Sequence, residues 1–263
     1  MESKTTVEDK TVEDKAAETA KQAGMVQTGP PDSYVALDLE MTGLNPKEDD
    51  IIEIGAVKVC QGEIVDTYSS FVLPAKKLAE RITELTGITQ KDVEGALPCA
   101  EAIVQILDFI GELPLLGHSI LLDYSFLKRA ADNQKLIFEK EGIDTLRIAR
   151  CCLKEAPSKR LEELCARYGI RHRAHRALAD AQATMELYCK MAEAFYNQEN
   201  QTLFEPVKLI YKVKRESPVT KRQKERLYEL VEKHRLTVEY DIEKLTRNQA
   251  SRYTDKILEK YGR

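Results

Sequence analysis

Hydrophobic and polar positions change period several times along the chain, and those changes predict its elements. Tyr34–Leu44 (Y-V-A-L-D-L-E-M-T-G-L) is rich in β-formers and reads as a strand that must turn at Thr42-Gly43. Ile51–Cys60 is a second β-rich run, Gln61-Gly62 a hairpin turn signal, and Ile64–Leu73 the strand that pairs back, closed by Pro74. Helical periodicity then appears at Leu78–Leu85 and Ala100–Ile110, separated by Thr86-Gly87-Ile88-Thr89 and Pro98. A short strand is expected at Leu113–Leu116, a helix at Leu121–Ala131, a strand at Gly142–Thr145, and helices at Leu146–Leu153 and Ser158–Tyr168. Gly169 stops the last of these, and Ala177–Tyr196 is the longest periodic run. Three strands in a row followed by strand-helix alternation predict an α/β fold, a mixed and partly antiparallel sheet flanked by helices.

Both ends differ from this body. Residues 1–32 are polar, repeat T-V-E-D-K at Thr6–Lys10 and Thr11–Lys15, and end in Gly29-Pro30-Pro31. They cannot bury enough apolar surface to order themselves, so a disordered leader is expected. The body should span 33–196. A linker is expected over 197–217, with a strand inside it at Val207–Val213, and a small helical module over 218–263 built on Lys221–Lys233 and Arg247–Lys260.

Charge sharpens this division. The net charge is −4, yet residues 207–263 carry 16 Lys and Arg against 9 Asp and Glu, a local +7 that leaves −11 on the rest. An acidic body with a basic appendage suits a metal-dependent enzyme with a polyanion-binding arm, and equally a solvated lysine-rich helix pair. No apolar run reaches membrane-spanning length and no signal-peptide core is visible. The six cysteines lack C-x-x-C spacing and read as reduced thiols, so a cytoplasmic protein without a membrane partner is expected.

Candidate chemistry begins with Asp38 and Glu40. Residues two apart on a strand share a face, and two adjacent carboxylates repel unless a cation lies between them. Hard oxygen ligands at that spacing suit Mg²⁺ or Mn²⁺, although the pair alone is equally a strand end with two solvated acids. Asp123 lies in an apolar stretch where a carboxylate is costly unless paired or metal-bound, or else caps the first turn of a helix. Asp180 sits among Ala177, Ala179, Ala181 and Ala183, a slim helix surface that another element can approach closely, although alone it reads equally as a solvent-facing helix acid. His175, five residues earlier, converges with Asp180 only from a loop before the helix, a place suited to general-base work. His172 competes for that role, but in the basic loop of Arg171, Arg173 and Arg176 it is expected to be a surface histidine.

Taken together, D-x-E on the opening strand, an Asp before F-L and H-x-x-x-x-D at a helix start resemble the DEDDh family of 3′–5′ exonucleases. Asp38, Glu40, Asp123, His175 and Asp180 match its five defining positions. Ile51–Val57, Leu85–Thr89, Asp144–Arg150 and Leu161–Ile170 are further likenesses, and the resemblance covers about Ser33 to Glu193. Arg176 stands where the sister class has Tyr, which favours the histidine class. Met41 and Ser119 depart from the Thr and Asn common in the family, without removing a ligand.

The resemblance implies a ribonuclease H-like fold and a site for two ions, Mg²⁺ or Mn²⁺. Asp38, Glu40 and Asp180 would hold one ion, Asp38 would bridge to the second, and Asp123 would complete the shell. His175 would be the base, and Met41 and Thr42 would line the pocket for the terminal nucleotide. The substrate implied is nucleic acid with a free 3′ end, and the partner class a DNA polymerase or repair complex. D-L-E-M-T-G-L is similar to the oligoribonuclease branch, whereas L-T-G-I-T and D-T-L-R-I-A-R are similar to the DNA-proofreading branch. An RNA-trimming enzyme therefore stands beside the DNA exonuclease. A dormant nucleic-acid-binding module is the alternative of a different class.

Overall fold

The structure is a computed structural model and describes residues 29–172, 174–213, 217–238 and 240–262. Most of the expected leader therefore lies outside the described residues. Its last residues pack onto the body, where the Pro31 carbonyl accepts a hydrogen bond of 3.0 Å from the Tyr188 hydroxyl. The chain divides into two compact units, up to Tyr211 and from Lys212 onward.

In the first unit the expected strands form β1 (Tyr34–Met41), β2 (Ile51–Cys60) and β3 (Glu63–Leu73). They are joined antiparallel in sequence order. Gln61 and Gly62 both take positive φ, as the tight two-residue hairpin requires. Two short helices follow, α1 (Glu80–Thr86) and α2 (Gln90–Val93), then β4 (Leu97–Pro98) and α3 (Cys99–Ile110). The pattern merged the region of α2 into a break. A Thr89–Asp92 capping box starts the helix there. Next come β5 (Leu115–Gly117), α4 (Ile120–Asn133), β6 (Glu141–Asp144), α5 (Thr145–Cys152), α6 (Leu161–Tyr168) and α7 (Ala177–Phe195).

The sheet runs β4-β3-β2-β1-β5-β6-β7, the last strand being Val207–Lys208, with β1, β5 and β6 parallel and the hairpin strands antiparallel. It is the mixed α/β sheet that the pattern predicts. Period-two alternation splits β1 between two cores. Tyr34 and Ala36 join the core under α7, while Val35, Leu37 and Leu39 join the core under α3 and α4. Asp38 and Glu40 continue the first set, so they emerge on the face that α7 covers.

Part of the stretch expected as a linker packs against the first unit. Phe204, on α8 (Gln201–Phe204), is fully buried beside the rings of Tyr188 and Tyr196. Burying so large an apolar ring holds this stretch to the body rather than releasing it. The strand expected over Val207–Val213 shrinks to β7 (Val207–Lys208), antiparallel to β6, and Leu209 then packs into the core. The first unit thus ends at Tyr211, not at Tyr196.

The second unit holds α9 (Lys221–Lys233), a 3₁₀ turn (Ile242–Lys244) and α10 (Arg247–Tyr261). Val219, Leu227, Leu230, Ile242, Leu245, Ala250 and Ile257 form its own small core. Both α-helices open on a capping box, Thr220 with Gln223 and Thr246 with Gln249.

Candidate metal centre

The site forms where β1 ends and α7 begins. After Glu40 the β1–β2 register shifts, pairing Glu40 with Glu53 but Met41 with Ile51. Such a bulge bends the strand end as it leaves the sheet. Asp38 and Glu40 project from β1 and Asp180 from the first turn of α7, and their carboxylate oxygens lie within 4.8 Å of one another.

Gly55, opposite Asp38 on β2, permits this convergence. A Cβ there would lie 2.1 Å from the Ala177 carbonyl carbon and 2.1 Å from the Leu178 nitrogen. Backbone meets backbone at this point, and glycine alone leaves room. Next to it, Glu53 accepts hydrogen bonds from the Arg176 guanidinium (2.8 Å) and the Ala177 N–H (3.2 Å). A carboxylate at a helix N-terminus satisfies an orphan donor and favours the helix dipole. Arg176 also lies over the Phe71 ring, 5.0 Å from its centre. Glu53 and Gly55 belong to the quoted I-I-E-I-G-A-V run, but neither role was read from it. The available signals were a lone acid and a glycine inside an apolar strand.

Asp123 comes from the first turn of α4 and is not one of the three clustered carboxylates. Its Oδ1 accepts the Leu39 N–H at 3.2 Å, which holds it against the strand between the two acids. The start of α4 is itself braced. Ser119 takes a left-handed φ of 75° and donates its N–H to Asp144 Oδ1 at 2.9 Å, and Asp144 caps α5. Asparagine is at home in that backbone region, so a serine there costs local comfort rather than chemistry.

Burial and crowding shift the carboxylates upward. Burial, then the charges of Asp123, Asp180 and Glu40, push Asp38 well above the usual carboxylate range. Burial and the neighbouring Asp180, Glu53 and Asp123 raise Glu40 to about 8, with Arg176 opposing. Asp123 is raised to about 7, chiefly by burial, against the pull of backbone N–H donors. Glu53 is raised by burial despite Ala177 and Arg176. Hard oxygen donors that repel one another at this spacing fit a divalent cation.

The histidines depart from expectation. His172 was expected at the surface, but only 6% of its side chain is exposed and its Nε2 pairs with Asp180 Oδ1. The carboxylate draws it inward, since a ring nitrogen bonded to a buried acid satisfies both. His175 is exposed with φ 66°, and its main-chain N–H donates to Asp180 Oδ2 at 2.9 Å. Met41 is half-buried against the core under α3 and α4. Thr42 ties down the following turn, its Oγ1 accepting the Asp50 N–H at 2.9 Å.

A sheet-borne carboxylate cluster met by a helix N-terminal aspartate is an arrangement that suits a metal-dependent nuclease. This chain belongs to the exonuclease family RNase_T, which matches residues 35–188. Among relatives, DNA polymerase III PolC-type of Clostridium perfringens is 36% identical over 179 residues, covering 66% of this chain and 12% of that protein. The PolC-type polymerase of Bacillus subtilis is 38% identical over 164 residues, covering 61% and 11%. The match thus spans only about an eighth of these relatives' length.

Among solved structures, Escherichia coli exonuclease I in complex with a dA16 oligonucleotide gives a TM-score of 0.57 at 21% identity, over 66% of this chain and 42% of that one. Exonuclease X in complex with 5′ overhanging duplex DNA gives 0.52 at 22% identity, over 65% and 99%. The fold is the expected ribonuclease H-like α/β arrangement. Among the described residues no helix is long and apolar enough to cross a membrane.

Proposed function

We propose that the chain is a divalent-metal-dependent 3′–5′ exonuclease. It hydrolyses the terminal phosphodiester of single-stranded nucleic acid, DNA in preference to RNA, and releases nucleoside 5′-monophosphates. The observation that carries this is the meeting of Asp38, Glu40 and Asp180, from elements distant in sequence, on one covered face of the sheet.

Asp38, Glu40 and Asp180, with Asp123 beside them, would hold the metal. Two cations, Mg²⁺ or Mn²⁺, would when bound neutralise charge developing on the phosphodiester oxygens. The strand fixes Asp38 and Glu40, and the bonds of Glu53 to Arg176 and Ala177 fix the turn that carries Asp180. His175, at the exposed rim, accepts the proton of the attacking water on an imidazole nitrogen. Main-chain and side-chain atoms of Met41 and Thr42 line the pocket for the 3′-terminal nucleotide. The similarity to PolC-type polymerases supports action alongside a polymerase or repair complex.

The test is digestion of 5′-labelled single-stranded DNA and RNA oligonucleotides with Mg²⁺ or Mn²⁺, with Asp180→Ala as control. A ladder shortening one nucleotide at a time, faster on DNA and absent from the variant, is expected. Persistent digestion by a clean Asp180→Ala preparation would sink the metal-site reading, and faster digestion of RNA would name the RNA-trimming alternative.

A further inference from the structure

The unit from Lys212 onward contains a groove of about 520 Å³ beside its small core, with Ile257 shared between the two. Three tyrosines, Tyr240, Tyr253 and Tyr261, face it together with Lys256, Ile257 and Lys260. On α10, positions 253, 256, 257 and 260 fall on one helix face, so the ring and both ammonium groups are presented together. No carboxylate belongs to the described lining.

The rings are held in place before any ligand arrives. Tyr240 and Tyr253 stack on each other, 3.8 Å between centroids and 11° between planes, so each keeps only its outer face for a ligand. Tyr261 is backed by the His234 ring at 5.5 Å, with Lys260 Nζ 5.2 Å from its centre. Rings fixed in this way lose little freedom on receiving a flat partner. A groove with flat π faces and flexible cations matches a polyanion whose bases are unpaired, because a duplex hides its base faces in the stack. The excess of basic residues over 207–263 has the complementary sign.

We propose that this groove binds single-stranded DNA, its bases stacking on the tyrosines and its phosphates meeting Lys256 and Lys260. The inference stands on the groove itself and is read out by binding alone, so it fails or holds independently of the metal centre.

The experiment uses the full chain carrying Asp180→Ala, in a chelator, with a fluorescein-labelled oligo-dT followed by anisotropy. The chain has no tryptophan but eleven tyrosines, so stacking is read as the part of the tyrosine quenching that a groove substitution removes. Lys256→Glu/Lys260→Glu should weaken binding about tenfold and make the slope of log affinity against log salt shallower by about 1.4. Tyr261, 44% exposed, tolerates truncation, and Tyr261→Ala should weaken binding severalfold with the slope unchanged and less quenching. Circular dichroism should confirm that both variants are folded. Binding of both within twofold of the parent overturns the proposal. Equal affinity for a duplex of the same length overturns the stacking, and preference for oligo-rU overturns the commitment to DNA.

Discussion

Up to Tyr211, the contacts that shape the metal centre join distant stretches of chain. Glu53 bonds Arg176 across 123 positions, and Leu39 reaches Asp123 across 84. From Lys212 onward the fold is local. Its two capping boxes span three positions each, and Gln223 reaches Ser251 28 positions away. The charges also differ, with repelling carboxylates gathered in the first unit and lysines set among tyrosines in the second. A site assembled by register and close approach should be sensitive to a single backbone displacement. A unit assembled from caps and one small core should lose stability in small separate increments.

The histidines test the first half of that contrast most severely. His175→Ala should lower the rate by about 10²–10⁴ while sparing cation binding, the usual range for a lost general base. His172→Ala removes the ring bonded to Asp180 Oδ1 and should cost less than His175→Ala in single-turnover digestion. A larger loss from His172→Ala would transfer the base role to it.

Gly55→Ala probes the close approach directly. The added methyl meets main-chain atoms of Ala177 and Leu178, which no side-chain rotation relieves. Overpacking of this kind costs about 1–3 kcal/mol, and relief must come from moving the start of α7 with Asp180. A lower melting temperature together with a weaker Mn²⁺-induced shift is expected. Normal cation stabilisation in Gly55→Ala would show that Asp180 does not depend on this contact.

Stability should also depend on pH in a direction set by the carboxylates. Asp38, Glu40 and Asp123 all titrate higher folded than unfolded, Glu40 at about 8 and Asp123 at about 7. Between about pH 4 and 8 the folded chain therefore keeps protons that the unfolded chain releases, and metal-free stability falls as pH rises. A divalent ion replaces those protons, so Mn²⁺ should raise the melting temperature more at pH 8 than at pH 5.5. A metal-free melting temperature that climbs across this window would contradict the crowding of the three acids.

The same contrast explains what the sequence disclosed. Strand alternation and helix periodicity located β1–β3, α3–α7 and both helices of the second unit, because each carries its own period and stops. The grouping of Asp38, Glu40 and Asp180 was readable only from their order in the family resemblance, because each acid alone reads equally as a solvated strand-end or helix residue. The burial of His172 was not, since a basic loop looks solvated until Asp180 is known to lie beneath it. Nor was the packing of Phe204, which depends on the Tyr188 and Tyr196 rings waiting for it rather than on its polar neighbours.

The smallest expected effect lies in the second unit. Thr246 Oγ1 accepts the Gln249 N–H at 3.2 Å, and Gln249 Oε1 accepts the Thr246 N–H at 2.9 Å. Thr246→Ala removes the first of these bonds and should cost about 1 kcal/mol. Because the unit's contacts are local, the loss should appear as roughly fivefold faster hydrogen exchange across α10, with exchange in β1 and the Mn²⁺-induced shift unchanged. Faster exchange at β1 in Thr246→Ala would show that the two units share their stability, and the distinction between a register-built site and a cap-built module would then describe their contacts but not their energetics.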